Sequence, residues 1–129
     1  MPWRAMKNVL LIFIGGGIGS VLRYGTVLAL ARVTATSVFP WSIFVANLLG
    51  SFILGFLFGL PAMKTRDSAA WFFCATGVLG GYTTFSTLSN DSFILWQNHH
   101  GWLALLNSAG SSLLGIAAAA IGWRIAGSL

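Results

Sequence analysis

The chain has 129 residues, of which 57% are hydrophobic and 7% are charged, and its formal net charge is +5. An ordinary soluble domain carries about 25% charged residues, and a globule this small has too little interior to bury so much apolar surface. The composition therefore excludes an ordinary soluble domain and predicts an integral membrane protein. The basic residues stand at the ends of apolar runs and form no stripe, which argues against nucleic acid as a partner.

Four apolar segments are long enough to cross a bilayer as helices, which takes about 20 residues each. We expect the spans at about 9–30, 41–60, 69–96 and 102–125. Pro40 suits the first turn of the second span, and Pro61 ends it. The connections between the spans are short, so residues 1–129 are predicted to form a single transmembrane domain of the all-α class.

The third apolar segment is unusual because glycines and hydroxyl-bearing residues crowd its centre, from Gly77 to Asp91. The pair Gly80 and Gly81 predicts a broken helix, and backbone groups freed within a membrane need protein, ion or water partners. Serine and threonine also join neighbouring helices, but that role explains only two or three of these hydroxyls. The pattern favours an ion or polar-substrate pathway.

Other polar residues lie inside the remaining spans. Asn47 in span two either bonds a neighbouring helix or serves the pathway. Arg23 in span one either reaches an interface or lines a vestibule, and it is the natural partner of Asp91. Asn107 and Ser111 recur at four-residue spacing in span four, where such a face either borders a pore or packs. No nucleophile with its base and no set of metal ligands can be assembled, so we expect no enzyme.

The sequence Gly-Val-Leu-Gly-Gly-Tyr-Thr-Thr-Phe-Ser-Thr-Leu-Ser in span three, with Leu-Arg-Tyr in span one and Val-Ala-Asn-Leu-Leu-Gly in span two, resembles the CrcB/Fluc fluoride channels. The resemblance covers nearly the whole chain. It implies a passive, selective channel in the cell membrane of a prokaryote, which exports fluoride from the cytoplasm and so lowers fluoride toxicity. It also implies an antiparallel, dual-topology homodimer with two pores along the subunit interface and a structural sodium ion at its centre.

The resemblance assigns roles to individual residues. Gly80 and Thr83 match the positions whose backbone carbonyls bind sodium, and Phe85 matches the first of two phenylalanines whose ring edges line the fluoride path. Asn47 matches an asparagine near those rings. The remaining matches are a serine on the polar track of span four and an arginine of span one, here Ser111 and Arg23.

The chain departs from the family pattern in the same region. Leu88 stands where the second phenylalanine is usual, and Asn107 stands where tyrosine or histidine is often found. Gly115 stands where another small polar residue can occur. Because leucine lacks a positive ring edge, the fluoride station beside Leu88 is expected to be weaker or to use hydroxyls such as those of Thr84 or Ser86.

The charge distribution leaves alternatives open. With the N-terminus inside, the cytoplasmic side would carry most of the basic residues against Arg32 outside, which favours one orientation. A heterodimer with a paralogue of opposite bias, or a non-conducting subunit, would satisfy that bias. A small multidrug-type antiporter has similar length and span count but needs a carboxylate in the first span, where this chain has Arg23 and no acid. The basic residues on the predicted cytoplasmic side are Arg4, Lys7, Lys64, Arg66 and Arg124.

Overall fold

The computed structural model describes residues 3–129, and this range contains helices and no strands. The first half of the chain forms helix α1 at Trp3–Ala29, a short helix α2 at Ala31–Ala35 and helix α3 at Trp41–Gly59. Helix α3 follows Pro40 directly, and a 3₁₀ turn at Pro61–Met63 comes after it. Both prolines therefore mark the boundaries that the sequence predicts.

The second half of the chain begins with helix α4, which has a π-helical part at Trp71–Leu79 and an α-helical turn at Gly80–Tyr82. Helix α5 follows at Phe85–Gln97. The last helix, α6, occupies Gly101–Gly127 and contains a π-helical turn at Leu106–Gly110.

Three helices, α1, α3 and α6, are long and apolar enough to cross a membrane. The expected span at 69–96 is divided, because Thr83 and Thr84 lie outside any helix. The parts on either side, α4 and α5, are each shorter than the roughly 20 residues that a helical span takes. The class of integral membrane protein is supported, and the fourth crossing stays a prediction.

The helices pack in pairs, α1 against α4 and α3 against α6. Small residues at four-residue spacing, such as Gly15 and Gly19 on α1, make this approach possible. A β-carbon on Gly19 would collide with the Val78 carbonyl of α4, and one on Gly55 would collide with the backbone of Ala119 in α6. The two pairs meet where Asn47 of α3 contacts the break between α4 and α5.

Candidate functional site

The break between α4 and α5 consists of two residues with extended backbone. Thr83 has φ −84° and ψ 157°, and Thr84 has φ −151° and ψ 124°. The side chain of Asn47 binds both polar groups of Thr84: the Thr84 N–H donates to Oδ1 at 2.9 Å, and Nδ2 donates to the Thr84 carbonyl at 3.1 Å. One amide side chain therefore satisfies the Thr84 N–H, whose helical partner the break removes, and adds a hydrogen bond to the Thr84 carbonyl.

This arrangement releases two backbone carbonyls. In a continuous α-helix the Thr84 N–H would bind the Gly80 carbonyl, and the Thr87 N–H would bind that of Thr83. Here the Thr84 N–H binds Asn47, and the Thr87 N–H donates to Thr84 Oγ1 at 3.3 Å. Backbone carbonyls free of the helical ladder can replace the hydration shell of an alkali cation. The oxygens of Gly80 and Thr83 therefore fit the sodium ligands that the resemblance implies.

The break lies beyond the glycine pair that predicts it. Gly80 is helical, with φ −62° and ψ −36°, so glycine flexibility alone does not end α4. A β-carbon on Gly50 of α3 would collide with Thr83 Cγ2, so glycine at that position lets the Thr83 side chain lie against α3 in its present rotamer. The Tyr82 hydroxyl forms a hydrogen bond with Thr26 Oγ1 of α1 at 2.9 Å. The end of α4 is therefore held by α1 on one side and contacts α3 on the other.

Gly50 was not recognised as a site residue from the sequence. Its signal is its position three residues after Asn47, which places both on the same face of α3.

A cavity of about 300 Å³ opens beside the break, between α3, α4, α5 and α6. No acidic side chain lines it, so no carboxylate there would repel an anion. Ser51 and Ser112 also face it, although the sequence did not single them out for the pathway. Most of the predicted site residues line this cavity, namely Asn47, Gly80, Thr83, Thr84, Phe85, Leu88 and Ser111.

The remaining predicted residues lie outside the cavity wall. Ser86 is exposed and its hydroxyl lies 3.3 Å from Thr84 Oγ1. Asn107 is fully buried and donates from Nδ2 to Ser92 Oγ at 3.0 Å. Arg23 is half-buried on α1.

The expected pairing of Arg23 with Asp91 is wrong for the described chain, which forms no ion pair between them. Asp91 instead lines a small pocket with Val38, Pro40 and Asn98.

The two positions of the expected aromatic pair have opposite environments. Phe85 is 82% exposed at the start of α5, whereas Leu88 is 8% exposed and belongs to the core. Two polar atoms near them are buried without a hydrogen-bond partner, Ser111 Oγ and Asn107 Oδ1. The Ser111 hydroxyl is therefore a donor that the described protein leaves free.

These features define an integral membrane protein with apolar helices around a cavity at a helix break, lined by amide, hydroxyl and apolar side chains. The family described as CrcB-like protein, Camphor Resistance (CrcB), matches residues 10–123, and the chain belongs to this family. It is 42% identical over 124 residues to a fluoride-specific ion channel FluC of Thermus thermophilus, covering 96% of this chain and 98% of that protein.

Two further relatives carry the same kind of name. The chain is 40% identical over 122 residues to the fluoride-specific ion channel FluC of Flavobacterium psychrophilum, covering 94% of this chain and 98% of the relative. It is 39% identical over 110 residues to the fluoride-specific ion channel FluC 2 of Nitrobacter hamburgensis, covering 84% and 88%. The resemblance found in the motifs is therefore confirmed along nearly the whole chain.

Proposed function

We propose that this chain is a fluoride-selective, passive channel of the cell membrane that exports fluoride from the cytoplasm. The observation that carries the proposal is the cavity beside Thr83 and Thr84, because it unites residues from both halves of the chain without any carboxylate. Relatives of matching length that are named fluoride-specific ion channels support the choice of ion. A channel, rather than an enzyme, fits a lining of amide, hydroxyl and ring groups.

Fluoride would lose its hydration shell to several weak donors in turn. Asn47 uses one amide hydrogen for the Thr84 carbonyl and keeps a second. Phe85 offers its ring edge, which is the positive side of an aromatic quadrupole. Ser111 offers a hydroxyl without another partner. A series of weak sites lets the ion leave as readily as it enters, as conduction requires.

A sodium ion bound by the carbonyls of Gly80 and Thr83 is the second part of the proposal. The ion would stabilise the break by binding both carbonyls. The N–H groups that would otherwise bind these carbonyls donate instead to the side chains of Asn47 and Thr84. Sodium binding to the folded state should raise the melting temperature with sodium concentration. Potassium at equal ionic strength is the control, and equal melting temperatures in both salts would contradict the site.

A second copy of the chain is the proposed partner. Phe85, Ser86 and Ser89 are exposed on the isolated subunit, and Gly80 lies exposed beside them. Exposed backbone and hydroxyls are costly against lipid, so this surface is best covered by protein. An antiparallel dimer would bring two copies of the surface together, and the Gly80 and Thr83 carbonyls of both subunits could then share one cation.

A heterodimer is the second candidate, and the charge distribution favours it. Arg4 and Lys7 line one pocket with Asp67, so the basic N-terminal segment lies at the same end of the subunit as the loop that follows Lys64 and Arg66 in the sequence. A strong bias of this kind favours a single orientation in the membrane. In a heterodimer, this chain would form one half of the channel, and its partner would carry the opposite bias.

Growth of a fluoride-sensitive bacterium that lacks its own exporter tests the proposal in cells. Expression of this chain alone should restore growth in fluoride-containing medium, and the Asn47→Asp variant at equal expression should not. Restored growth only with a co-expressed paralogue would support the heterodimer. Failure with and without a paralogue, for protein shown to reach the membrane, would contradict fluoride export.

A further inference from the structure

Ser51 is a cavity residue to which the family resemblance assigns no role. It lies on α3 four residues after Asn47, so the two share a face, and both line the cavity. Helical serines commonly donate to the carbonyl four residues earlier. Ser112 of the same cavity does so, at 3.0 Å to the Ser108 carbonyl. Ser51 Oγ makes no hydrogen bond within residues 3–129, so its hydroxyl is available to a ligand.

The Ser51 hydroxyl is directed toward Gly115 of α6. A β-carbon on Gly115 would lie 3.3 Å from Ser51 Oγ and 3.9 Å from its Cβ. Ser51 Oγ therefore lies directly beside the position that a side chain of residue 115 would occupy. Gly115 comes four residues after Ser111, whose buried hydroxyl also lacks a partner. Two hydroxyls without a hydrogen-bond partner in the described part of the chain, one on α3 and one on α6, therefore both line the cavity.

We propose that Ser51 is a further ion-coordinating residue, whose hydroxyl donates to the permeating fluoride and replaces the polar side chain absent at Gly115. This inference rests on the proposed function and extends it. A hydroxyl donor to an anion forms the charge-assisted, stronger class of hydrogen bond. Because Ser51 is half-buried and Ser111 Oγ is buried, Ser51 would receive the ion from the open part of the cavity.

Fluoride efflux from liposomes containing the full chain tests the inference. Ser51→Ala should slow efflux about tenfold, in keeping with the loss of one hydrogen bond to a charged group. Ser108→Ala is the matched control, because Ser108 lies outside the cavity wall and its hydroxyl already binds the Ala104 carbonyl at 2.8 Å, and it should retain wild-type efflux. Equal rates for Ser51→Ala and the wild type would overturn the inference.

A swap between helices separates ion coordination from packing. The double variant S51A/G115S returns a hydroxyl to the same point from α6, and we expect it to recover most of the lost efflux. Ser51→Thr and Ser51→Val add similar volume, but only the threonine variant keeps a hydroxyl. Fluoride efflux should therefore be much faster for Ser51→Thr than for Ser51→Val. No rescue together with equal Thr and Val rates would assign Ser51 to packing. An inactive wild type would instead contradict the proposed function itself.

Discussion

The two halves of helix α3 use their small and polar residues in different ways. In the second half, Gly55 and Gly59 let α6 approach so closely that a β-carbon on Gly59 would lie 2.7 Å from the Trp123 carbonyl. In the first half, Asn47 hydrogen-bonds both the N–H and the carbonyl of the Thr84 backbone at the helix break. One helix therefore combines a dry packing surface with the wall of a cavity, and substitutions in the two halves should have different consequences.

Asn47→Asp should have the largest effect on transport. The carboxylate would face the Thr84 carbonyl without a hydrogen to donate and would repel an anion in the cavity. We expect fluoride efflux to fall by about 100-fold or more, since the loss of a bond and charge repulsion act together. Efflux from liposomes measures it. Asn98→Asp, in the exposed turn after α5, adds the same charge and should leave efflux unchanged; equal losses in both would refute this role of Asn47.

Gly55→Ala should affect the fold instead of the pathway. The added methyl would collide with the Ala119 backbone, and overpacking of this kind costs about 1–3 kcal/mol. Thermal unfolding in detergent should show a clearly lower melting temperature. Gly17→Ala meets open space and serves as the control. A melting temperature for Gly55→Ala equal to that of the control would contradict the close approach of α3 and α6.

Phe85→Leu should weaken transport while leaving the subunit folded. The change removes the ring edge, and Phe85 is too exposed to belong to the subunit core. We expect fluoride efflux to fall about fivefold to tenfold, the scale of an aromatic contribution. Phe93→Leu, at another exposed position on α5 outside the cavity, should conduct like the wild type. Fluoride efflux from Phe85→Leu equal to that of the wild type would contradict a role of the Phe85 ring in the pathway.

Tyr82→Phe should have the smallest effect. It removes the hydrogen bond between Tyr82 and Thr26, and a bond of this kind contributes about 0.5–1.5 kcal/mol. The melting temperature should fall slightly and fluoride efflux should persist. Thr26→Val should lower the melting temperature to a similar extent. The double variant should then be no less stable than either single variant, since both remove one interaction; fully additive losses would show that the bond is unimportant.

The helix boundaries and packing motifs could be predicted because they depend on local chemistry. Pro40 and Pro61 limit α3 through their missing N–H groups, and small residues at four-residue spacing identify the helix contacts. The existence of a broken third segment also follows from its composition. Each of these features depends only on residues that are close together in the sequence.

The position of the break could not be predicted from the residues around it in the sequence. It is set by Asn47, which is 37 residues away from Thr84 in sequence, and by the space at Gly50. For the same reason the free carbonyls of Gly80 and Thr83 follow only from the tertiary hydrogen bonds. The orientation of Asn107 into the core, toward Ser92, likewise depends on how α5 and α6 pack.

Fluoride efflux from liposomes reconstituted with this chain alone, compared with chloride efflux from matched vesicles, tests the central claim most directly. The account predicts rapid loss of fluoride while chloride is retained. Folded protein that releases neither ion, or that releases both at similar rates, would contradict a fluoride-selective channel formed by this chain.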